Sequence, residues 1–321
     1  MIKLAKEHVK DSIEMRTAYC DALRETARTN DKVVSINCDL CSSMGLTAFT
    51  KEFPERAFNV GIQEANGCGF AAGLSATGLT PFFHTFATFA TRRVYDQAFV
   101  SCAYAGLNVK IIGGDGGVSA TYNGGTHMSF EDIGIMRCIP NIKIVEPSDA
   151  VMMKKLVPLI AADYGLLYMR FPRKQAVKIY DETSNFELGR AAVLREGADV
   201  SIIAMGMTVS EALIAADMLQ KDGISARVVD MFTIKPIDKE CIIECAQKTG
   251  AIVSAENHNI INGLGSAIAE VLVENHPVPM ERVGVQDEFG EVGHQEYLME
   301  RFGLTAKTIY EKAKKVISRK R

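Results

Sequence analysis

Short apolar runs alternate along the chain with longer amphipathic or small-residue segments. The runs VVSIN, TPFFHTF, VKIIGG, IKIVEPSD and LLYMRFP are rich in β-branched and aromatic residues, which favour strands. The segments between these runs are long enough for helices, and an alternation of strands and helices is typical of a parallel sheet. The first half of the chain therefore predicts an α/β domain with a mainly parallel sheet.

A second α/β series follows a polar, irregular stretch, KQAVKIYDETSNFELG. This series contains the runs ADVSIIAMG, SARVVDM and AIVSAEN, with predicted helices over 208–221 and 263–275 between its strands. At 321 residues the chain is also too long for one ordinary core. We therefore predict two domains, 1–180 and 190–321, each a mainly parallel sheet with helices on both faces.

The charge balance and the apolar runs exclude several classes of partner. Lys plus Arg number 36 against 39 Asp plus Glu, and a net charge of -3 provides no electrostatic attraction to nucleic acid or to an anionic membrane. No apolar run reaches the length of a membrane span, and the start, MIKLAKEHVKDSIEM, predicts a charged helix rather than a signal peptide. We expect a cytoplasmic protein that binds neither nucleic acid nor membrane.

The 8 cysteines are mostly in apolar segments, as reduced, buried thiols of cytosolic proteins are. Cys38 and Cys41 have the spacing of a redox or zinc motif. No second Cys pair or His pair completes a tetrahedral set, so we expect structural cysteines and no metal site on this chain.

One carboxylate, Glu64, stands at the entrance to a small-residue helix in FNVGIQEANGCGFAAGLSATG. An unpaired acid has no ordinary place on a helix that packs closely through Gly, Ala and Cys. Either Glu64 satisfies free N–H groups and the dipole of the first turn, or it has a chemical partner. The pattern alone leaves both interpretations open.

Two further segments are candidates for a site at the carboxyl edge of the first sheet, where open parallel sheets bind ligands. TPFFHTFATF concentrates phenylalanines, which either pack in the core or flank a flat heterocycle. The glycine-rich stretch IIGGDGGVSATYNGGTHMSFED follows a strand and carries Asp115, Asn123 and His127 in a long loop. His127 is equally compatible with a structural, hydrogen-bonded histidine.

The ordered motifs GIQEANGCGFAAG, HTFATFATR and NGGTHMSFEDIGIMRCIPNIKIVEPSD closely resemble the pyrimidine-binding domain of the transketolase family. The segments ADVSIIAMG, VVDMFTIKPID and AIVSAENHNIINGLGSAIAEVL resemble the C-terminal domain of that family, so the resemblance covers essentially the whole chain. In that family thiamine diphosphate lies between subunits, with its diphosphate held through Mg²⁺ by one domain and its aminopyrimidine by another. The resemblance implies that a separate N-terminal subunit supplies the diphosphate-binding domain and the Mg²⁺ site.

The resemblance also decides how one metal-like motif is interpreted. Gly114-Asp115-Gly116 with Asn141 has roughly the spacing of the family's Mg²⁺ fingerprint, but it lies where pyrimidine domains carry a substrate loop. It lacks the acidic, Asn-rich surroundings of that fingerprint, so we assign it no metal.

The resemblance implies roles for several residues around the cofactor. Glu64 matches the glutamate whose protonated carboxyl bonds N1′ of the pyrimidine and favours the tautomer that activates the cofactor. Phe86 and Phe89 match the aromatic residues that flank the aminopyrimidine, whereas Phe82 and Phe83 remain expected core residues. Asp39 falls near the cofactor interface, and Arg92 stands where many relatives have a third aromatic residue.

The substrate residues follow in the same way. His127 is expected to bond a substrate hydroxyl and to assist proton transfer, and Asn123 stands in place of an Asp that reads the hydroxyl beside the ketose carbonyl. The sugar phosphate is expected to bind Arg16, Ser43 and Arg170, with Arg173 as a further neighbour.

The leading hypothesis is the C-terminal subunit of a split transketolase, active only in an α2β2 complex with its partner. The β subunit of a 2-oxoacid dehydrogenase has a similar domain content, but the Gly-Thr-His loop and the segment Asp-Leu-x-x-Ser favour a transketolase. A deoxyxylulose-phosphate synthase fragment and a non-catalytic assembly module are two more hypotheses that the motifs leave open. The replacement of Asp by Asn123 makes an unusual ketose phosphate a plausible substrate.

Overall fold

The computed structural model describes residues 2–320, so the two outer ends of the predicted domains, Met1 and Arg321, lie outside the described residues. The helices are α1 Met15–Thr29, α2 Thr47–Glu52, α3 Glu64–Ala76, α4 Ala87–Thr91, α5 Asp132–Arg137, α6 Ala150–Ala162, α7 Thr208–Lys221, α8 Lys239–Thr249, α9 Leu264–Asn275, α10 Gln295–Arg301 and α11 Ala306–Ile317. The strands are β1 Val33–Asn37, β2 Ala57–Asn59, β3 Thr80–Phe86, β4 Lys110–Gly114, β5 Lys143–Val145, β6 Leu167–Phe171, β7 Ala192–Arg195, β8 Val200–Ala204, β9 Ala226–Asp230, β10 Thr233–Lys235, β11 Ile252–Asn259 and β12 Met280–Val285. Pro54–Arg56 and Gly117–Asn123 form 3₁₀ turns, and Gln97–Tyr104 form a π-helix.

The strands form two sheets, which confirms the predicted fold class. The first has 7 strands in the order β10-β5-β6-β4-β3-β1-β2, and the second has 5 strands in the order β12-β11-β8-β9-β7. The central strands β1, β4 and β6 are buried along their whole length because helices cover both faces of the sheet. The predicted helices over 208–221 and 263–275 are confirmed as α7 and α9.

Two local features differ from the sequence-based prediction. Strand β10 comes from the second half of the chain but pairs antiparallel with β5 at the edge of the first sheet. The predicted charged helix at the start is wrong, because Leu4 and Lys10 instead bridge to Tyr180 and Val177 in the polar stretch between the domains. The opening segment therefore pairs antiparallel with this polar stretch at two isolated β-bridges.

The main apolar cores extend across both halves of the chain. One cluster joins residues of α1 and α6 to residues of α7 and α11, and a second joins β3 and β4 to α8 and α9. Side chains of the two domains therefore pack against each other as well as within each domain. Within residues 2–320, no helix is both long and apolar enough to cross a membrane.

Candidate active site

Glu64 is buried at the first position of α3, with 2% of its surface exposed. Its Oε1 accepts a hydrogen bond from Thr85 Oγ1 at 3.2 Å, and its Oε2 pairs with an Arg93 guanidinium nitrogen at 2.8 Å. The helix can approach β3 this closely because Gly67 has no Cβ, which would lie 2.8 Å from the Phe83 ring. Glu64 thus has side-chain partners rather than the backbone N–H partners that a capping residue has.

Phe86 and Phe89 lie beside this carboxylate, at the end of β3 and in α4. Both rings are only half-buried, and both meet the imidazole of His127 edge-on, with ring centroids 6.0 Å and 5.2 Å away. Phe82 and Phe83 are fully buried, as expected of core residues. The structure therefore divides the aromatic cluster into a core pair and a pair at the sheet edge.

Two arginines lie against these half-buried rings. The Arg93 guanidinium carbon lies 3.8 Å from the centre of the Phe89 ring, and that of Arg173 lies 4.8 Å from the centre of the Phe86 ring. Both rings therefore offer a face to a flat, positively polarised group. A buried carboxylate beside two such faces fits an aminopyrimidine, which needs a hydrogen-bond partner for one ring nitrogen and apolar walls for its faces.

A second set of residues converges on the Ser43 carbonyl. Guanidinium groups of Arg16 and Arg173 donate to this oxygen at 3.1 Å and 3.4 Å, and both side chains remain partly exposed. Arg173 is also held by Asp115 at 2.6 Å. Burial raises the pKa of the Asp115 carboxyl, and the positive charge of Arg173 opposes that effect. Arg16 is held in the same way by Glu14 at 2.6 Å. Arg16 and Arg173 therefore place two paired, partly exposed guanidinium groups beside Ser43, and their outer N–H groups suit a tetrahedral anion.

Arg170 requires a correction. The resemblance predicts that it binds a sugar phosphate, but its side chain is only 1% exposed and pairs with Asp132 at 2.8 Å and Glu146 at 3.0 Å. A third bond joins it to the Asn257 carbonyl oxygen at 2.8 Å. The reason is that Arg170 lies inside β6, whose side chains are buried on both faces of the sheet, whereas Arg173 lies beyond the strand end.

The other expected site residues are exposed or half-buried. Asp39 has a positive φ of 59° and accepts from the Asn59 amide at 3.1 Å. Asn123 is exposed at the end of the 3₁₀ turn, in which Thr121 has the strained conformation φ 47°, ψ -115°. His127 Nδ1 lies 2.9 Å from Thr126 Oγ1. The roles that the resemblance assigns to Asp39, Asn123 and His127 stay predictions.

Sequence reasoning missed Arg93, which connects the separate groups. Contacts run from Glu64 to Arg93, from Arg93 to Phe89, and through His127 to Phe86 and Arg173. The available signal was a second arginine next to Arg92 after the aromatic cluster, but nothing in the spacing showed which of the two faces Glu64. Arg92 instead pairs with Glu131 at 2.9 Å.

Comparisons with known proteins agree with this geometry. A family model described as "Transketolase, pyrimidine binding domain" matches residues 11–178, and one described as "Transketolase, C-terminal domain" matches residues 189–309. The 6-deoxy-6-sulfo-D-fructose transketolase subunit SqwH of Clostridium sp. (strain MSTE9) is 50% identical over 95% of this chain and 95% of its own. The putative transketolase C-terminal section of Methanocaldococcus jannaschii is 40% identical over 94% of this chain and 96% of its own.

A solved structure described as "Split gene transketolase, inactive beta4 tetramer" is 43% identical to this chain. It superimposes with a TM-score of 0.91 and covers 97% of this chain and 100% of its own. The chain therefore belongs to the transketolase family, as a C-terminal subunit that carries the pyrimidine-binding and C-terminal domains.

Proposed function

We propose that this chain, with a separate N-terminal subunit, transfers a two-carbon ketol unit from a ketose to an aldose in a thiamine-diphosphate-dependent reaction. The observation that carries the proposal is the continuous series of contacts from buried Glu64 through the aromatic pair and His127 to the cationic group at Ser43. One end of this series fits an aminopyrimidine, and the other end fits an anionic sugar terminus.

Thiamine diphosphate, when bound, supplies the carbon nucleophile for cleavage of the ketose. This chain contributes Glu64, whose carboxyl holds a proton at N1′ of the aminopyrimidine, and the Phe86 and Phe89 rings, which flank that ring and exclude water. Because the Arg93 guanidinium now lies on Phe89 and on Glu64, it has to leave both groups to make room. The diphosphate and its Mg²⁺ are assigned to the N-terminal subunit.

The substrate is assigned to the other half of the site. In this proposal Arg16 and Arg173 bind the anionic terminus with Ser43, and His127 bonds a sugar hydroxyl. We assign Asn123 to the hydroxyl beside the ketose carbonyl and Asp39 to the cofactor interface. A phosphate and a sulfonate both carry oxygen atoms arranged around a tetrahedral centre. The two guanidinium groups can therefore donate hydrogen bonds to either group. The name of the relative from Clostridium specifies a sulfosugar, so we propose ketoses with a terminal phosphate or sulfonate as donors.

The partner subunit is assigned to an apolar surface on α3 and the π-helix, which pack against each other. Ile62, Phe70, Phe99, Val100 and Tyr104 are exposed on α3, the segment before it and the π-helix, with Tyr104 86% exposed. An apolar surface of this kind is typical of a subunit interface. We propose that it completes the site in a cytoplasmic α2β2 complex, and that the chain alone is inactive, as the solved split-gene relative is in its β4 tetramer.

The test is reconstitution with candidate diphosphate-domain subunits. We expect two-carbon transfer from phosphorylated or sulfonated ketoses only in the mixture, and in the Glu64→Gln mixture a fall in kcat of about 10²–10⁴-fold with the fold intact by circular dichroism. Asp96→Asn, next to the π-helix, is the control variant with wild-type turnover. Unchanged turnover of the Glu64→Gln complex contradicts the proposal.

A further inference from the structure

The loop that carries Asn123 and His127 is held by the C-terminal domain as well as by its own. We call residues 116–134 the site loop. Its two ends meet the carboxyl end of β11, at Asn257, His258 and Asn259. This strand end lies in the second sheet, more than a hundred residues along the chain from the loop, as the separation of 139 between Val118 and Asn257 shows.

Asn257 fixes the first end of the site loop with both atoms of its amide. Its Oδ1 accepts from the Val118 N–H at 2.9 Å, and its Nδ2 donates to the Gly116 carbonyl at 2.9 Å. The side chain is buried, so neither loop group has water as a ready alternative partner. The fit is close: Gly117 has φ 61°, and a Cβ there would lie 2.2 Å from Asn257 Oδ1.

His258 and Asn259 fix the other end. The Gly134 N–H donates to His258 Nε2 at 3.2 Å, and the Asn259 N–H donates to the Phe130 carbonyl at 2.8 Å. Burial lowers the pKa of His258 to about 4, which keeps the imidazole neutral and Nε2 free to accept. The proton then resides on Nδ1, which donates to the Asn259 carbonyl at 2.7 Å.

Apolar contacts hold the middle of the site loop from the same side. Loop residues share a small core with residues of β12, of α10 and of the turn that follows α10; its members are Val118, Ala120, Met128, Phe130, Val285, Leu298, Phe302 and Leu304. At the tip, a Cβ on Gly125 would lie 2.3 Å from the Gly290 carbonyl oxygen. The C-terminal domain therefore contacts the start, the tip and the end of the site loop.

We propose that Asn257 is a positioning residue for the reaction, which sets the site loop so that His127 faces the aromatic pair. Within the first domain, the base of the loop is closed by a bond from the Gly117 N–H to the Ser129 carbonyl at 3.2 Å. The amide of Asn257 adds the bonds that orient the residues between these two ends. The expected effect of Asn257 on the reaction rests on the proposed function. The expected ordering of the site loop by Asn257 does not depend on it.

Hydrogen exchange of the whole chain, followed by mass spectrometry, tests the ordering role with Asn257→Ala and Asn257→Asp. Asp keeps the acceptor for Val118 and loses the donor to Gly116. We expect peptides from 116–129 to exchange at least about 10-fold faster in both variants, with peptides from α7 unchanged. Asn259→Ala is the matched control, because its side chain bonds Asp287 and Ile261 and only its backbone contacts the loop. Wild-type exchange over 116–129 in a folded Asn257→Ala chain would overturn the inference.

Kinetics of the reconstituted complex test the positioning role. For Asn257→Asp we expect kcat to fall about 10- to 100-fold, because a displacement near 1 Å has effects of that size, while the affinity for thiamine diphosphate stays within about two-fold. Equal losses in kcat and cofactor affinity indicate general damage and contradict the proposal, as does an unchanged kcat. If the wild-type mixture is itself inactive, the proposed function fails, and the exchange experiment still decides whether Asn257 orders the loop.

Discussion

At the scale of single residues, the site is defined by which charged groups face each other. Glu64 is deeply buried yet paired with Arg93, a side chain that is 44% exposed and rests on the Phe89 ring. The Arg93 guanidinium thus pairs with Glu64 and lies flat on the Phe89 ring. A bound aminopyrimidine would take its place in both contacts. Arg93 therefore occupies the proposed cofactor-binding surface in the isolated chain.

Replacing Arg93 by Met should have opposite effects on the chain and on the complex. The isolated chain should lose roughly 2 °C in Tm, because the buried Glu64 carboxylate loses its charged partner. The reconstituted complex should bind thiamine diphosphate more tightly, because no guanidinium has to be displaced. Arg301→Met is the control, since Arg301 pairs with Glu288 at 2.7 Å and lies over the Phe302 ring, but does not pair with Glu64. Isothermal titration in which the Arg93→Met complex binds the cofactor more weakly than wild type would contradict the idea.

Replacing the two arginines around the end of β6 should have different effects. Loss of Arg170 should mainly lower stability, and loss of Arg173 should mainly weaken substrate binding. Arg170→Met leaves Asp132 and Glu146 buried without a cation, so we expect a loss of about 3–5 kcal/mol in the free energy of unfolding. Arg173→Met should cost about 1 kcal/mol in stability but raise KM for an anionic ketose at least about ten-fold. Urea unfolding measures the free energy of unfolding of each variant, and steady-state kinetics of the complex measure its KM. A stable Arg170→Met chain with a raised KM would instead favour Arg170 as the residue that binds the sugar phosphate.

At the scale of elements, strand ends carry buried polar groups that determine how the sheets respond to pH. Asp230, at the end of β9, is fully buried; its Oδ2 accepts from Ser148 at 2.6 Å and from Tyr180 at 2.7 Å. Its Oδ1 has no hydrogen-bond partner among residues 2–320. Burial, the largest cause, raises the pKa of Asp230 from 3.8 to about 7.

The sign of the resulting pH dependence is fixed by linkage. Between pH 3.8 and about 7 the folded chain retains a proton on Asp230 that the unfolded chain has released, so stability falls as pH rises through this window. Asp230→Asn keeps an acceptor for Ser148 and Tyr180 and does not titrate. We therefore expect urea midpoints measured between about pH 5 and pH 8 to fall less in the variant than in wild type. Parallel pH profiles for the two chains would show that Asp230 does not titrate in this window.

At the scale of the whole molecule, exposed apolar side chains occur on both domains. Val100 is 51% exposed and Tyr104 is 86% exposed on the π-helix, which packs against α3, the helix that begins at Glu64. Val273 is 72% exposed on α9 of the second domain. We assign the proposed N-terminal subunit to the first group, and Val273 serves as the comparison.

A charge on the π-helix should therefore prevent assembly. For Val100→Asp we expect loss of the complex with the N-terminal subunit in size-exclusion chromatography with light scattering, because burying the new carboxylate is costly. Val273→Asp, with its larger exposure, should assemble normally. Normal assembly of Val100→Asp would place the partner on another surface.

The sequence by itself determined the two-domain α/β fold and the family, because strand periodicity and ordered motifs are local properties. It also marked Glu64 and the phenylalanine cluster as candidates, and the resemblance of the motifs to the family selected Glu64, Phe86 and Phe89. Only the tertiary structure decided that Arg173 rather than Arg170 joins Arg16, that Arg93 faces Glu64, and that β10 completes the first sheet. Those choices depend on side-chain direction and on groups distant in the chain, such as Arg170 and Asn257, which are 87 residues apart. Such contacts leave no periodic trace in the sequence, because they are set by how the two sheets pack.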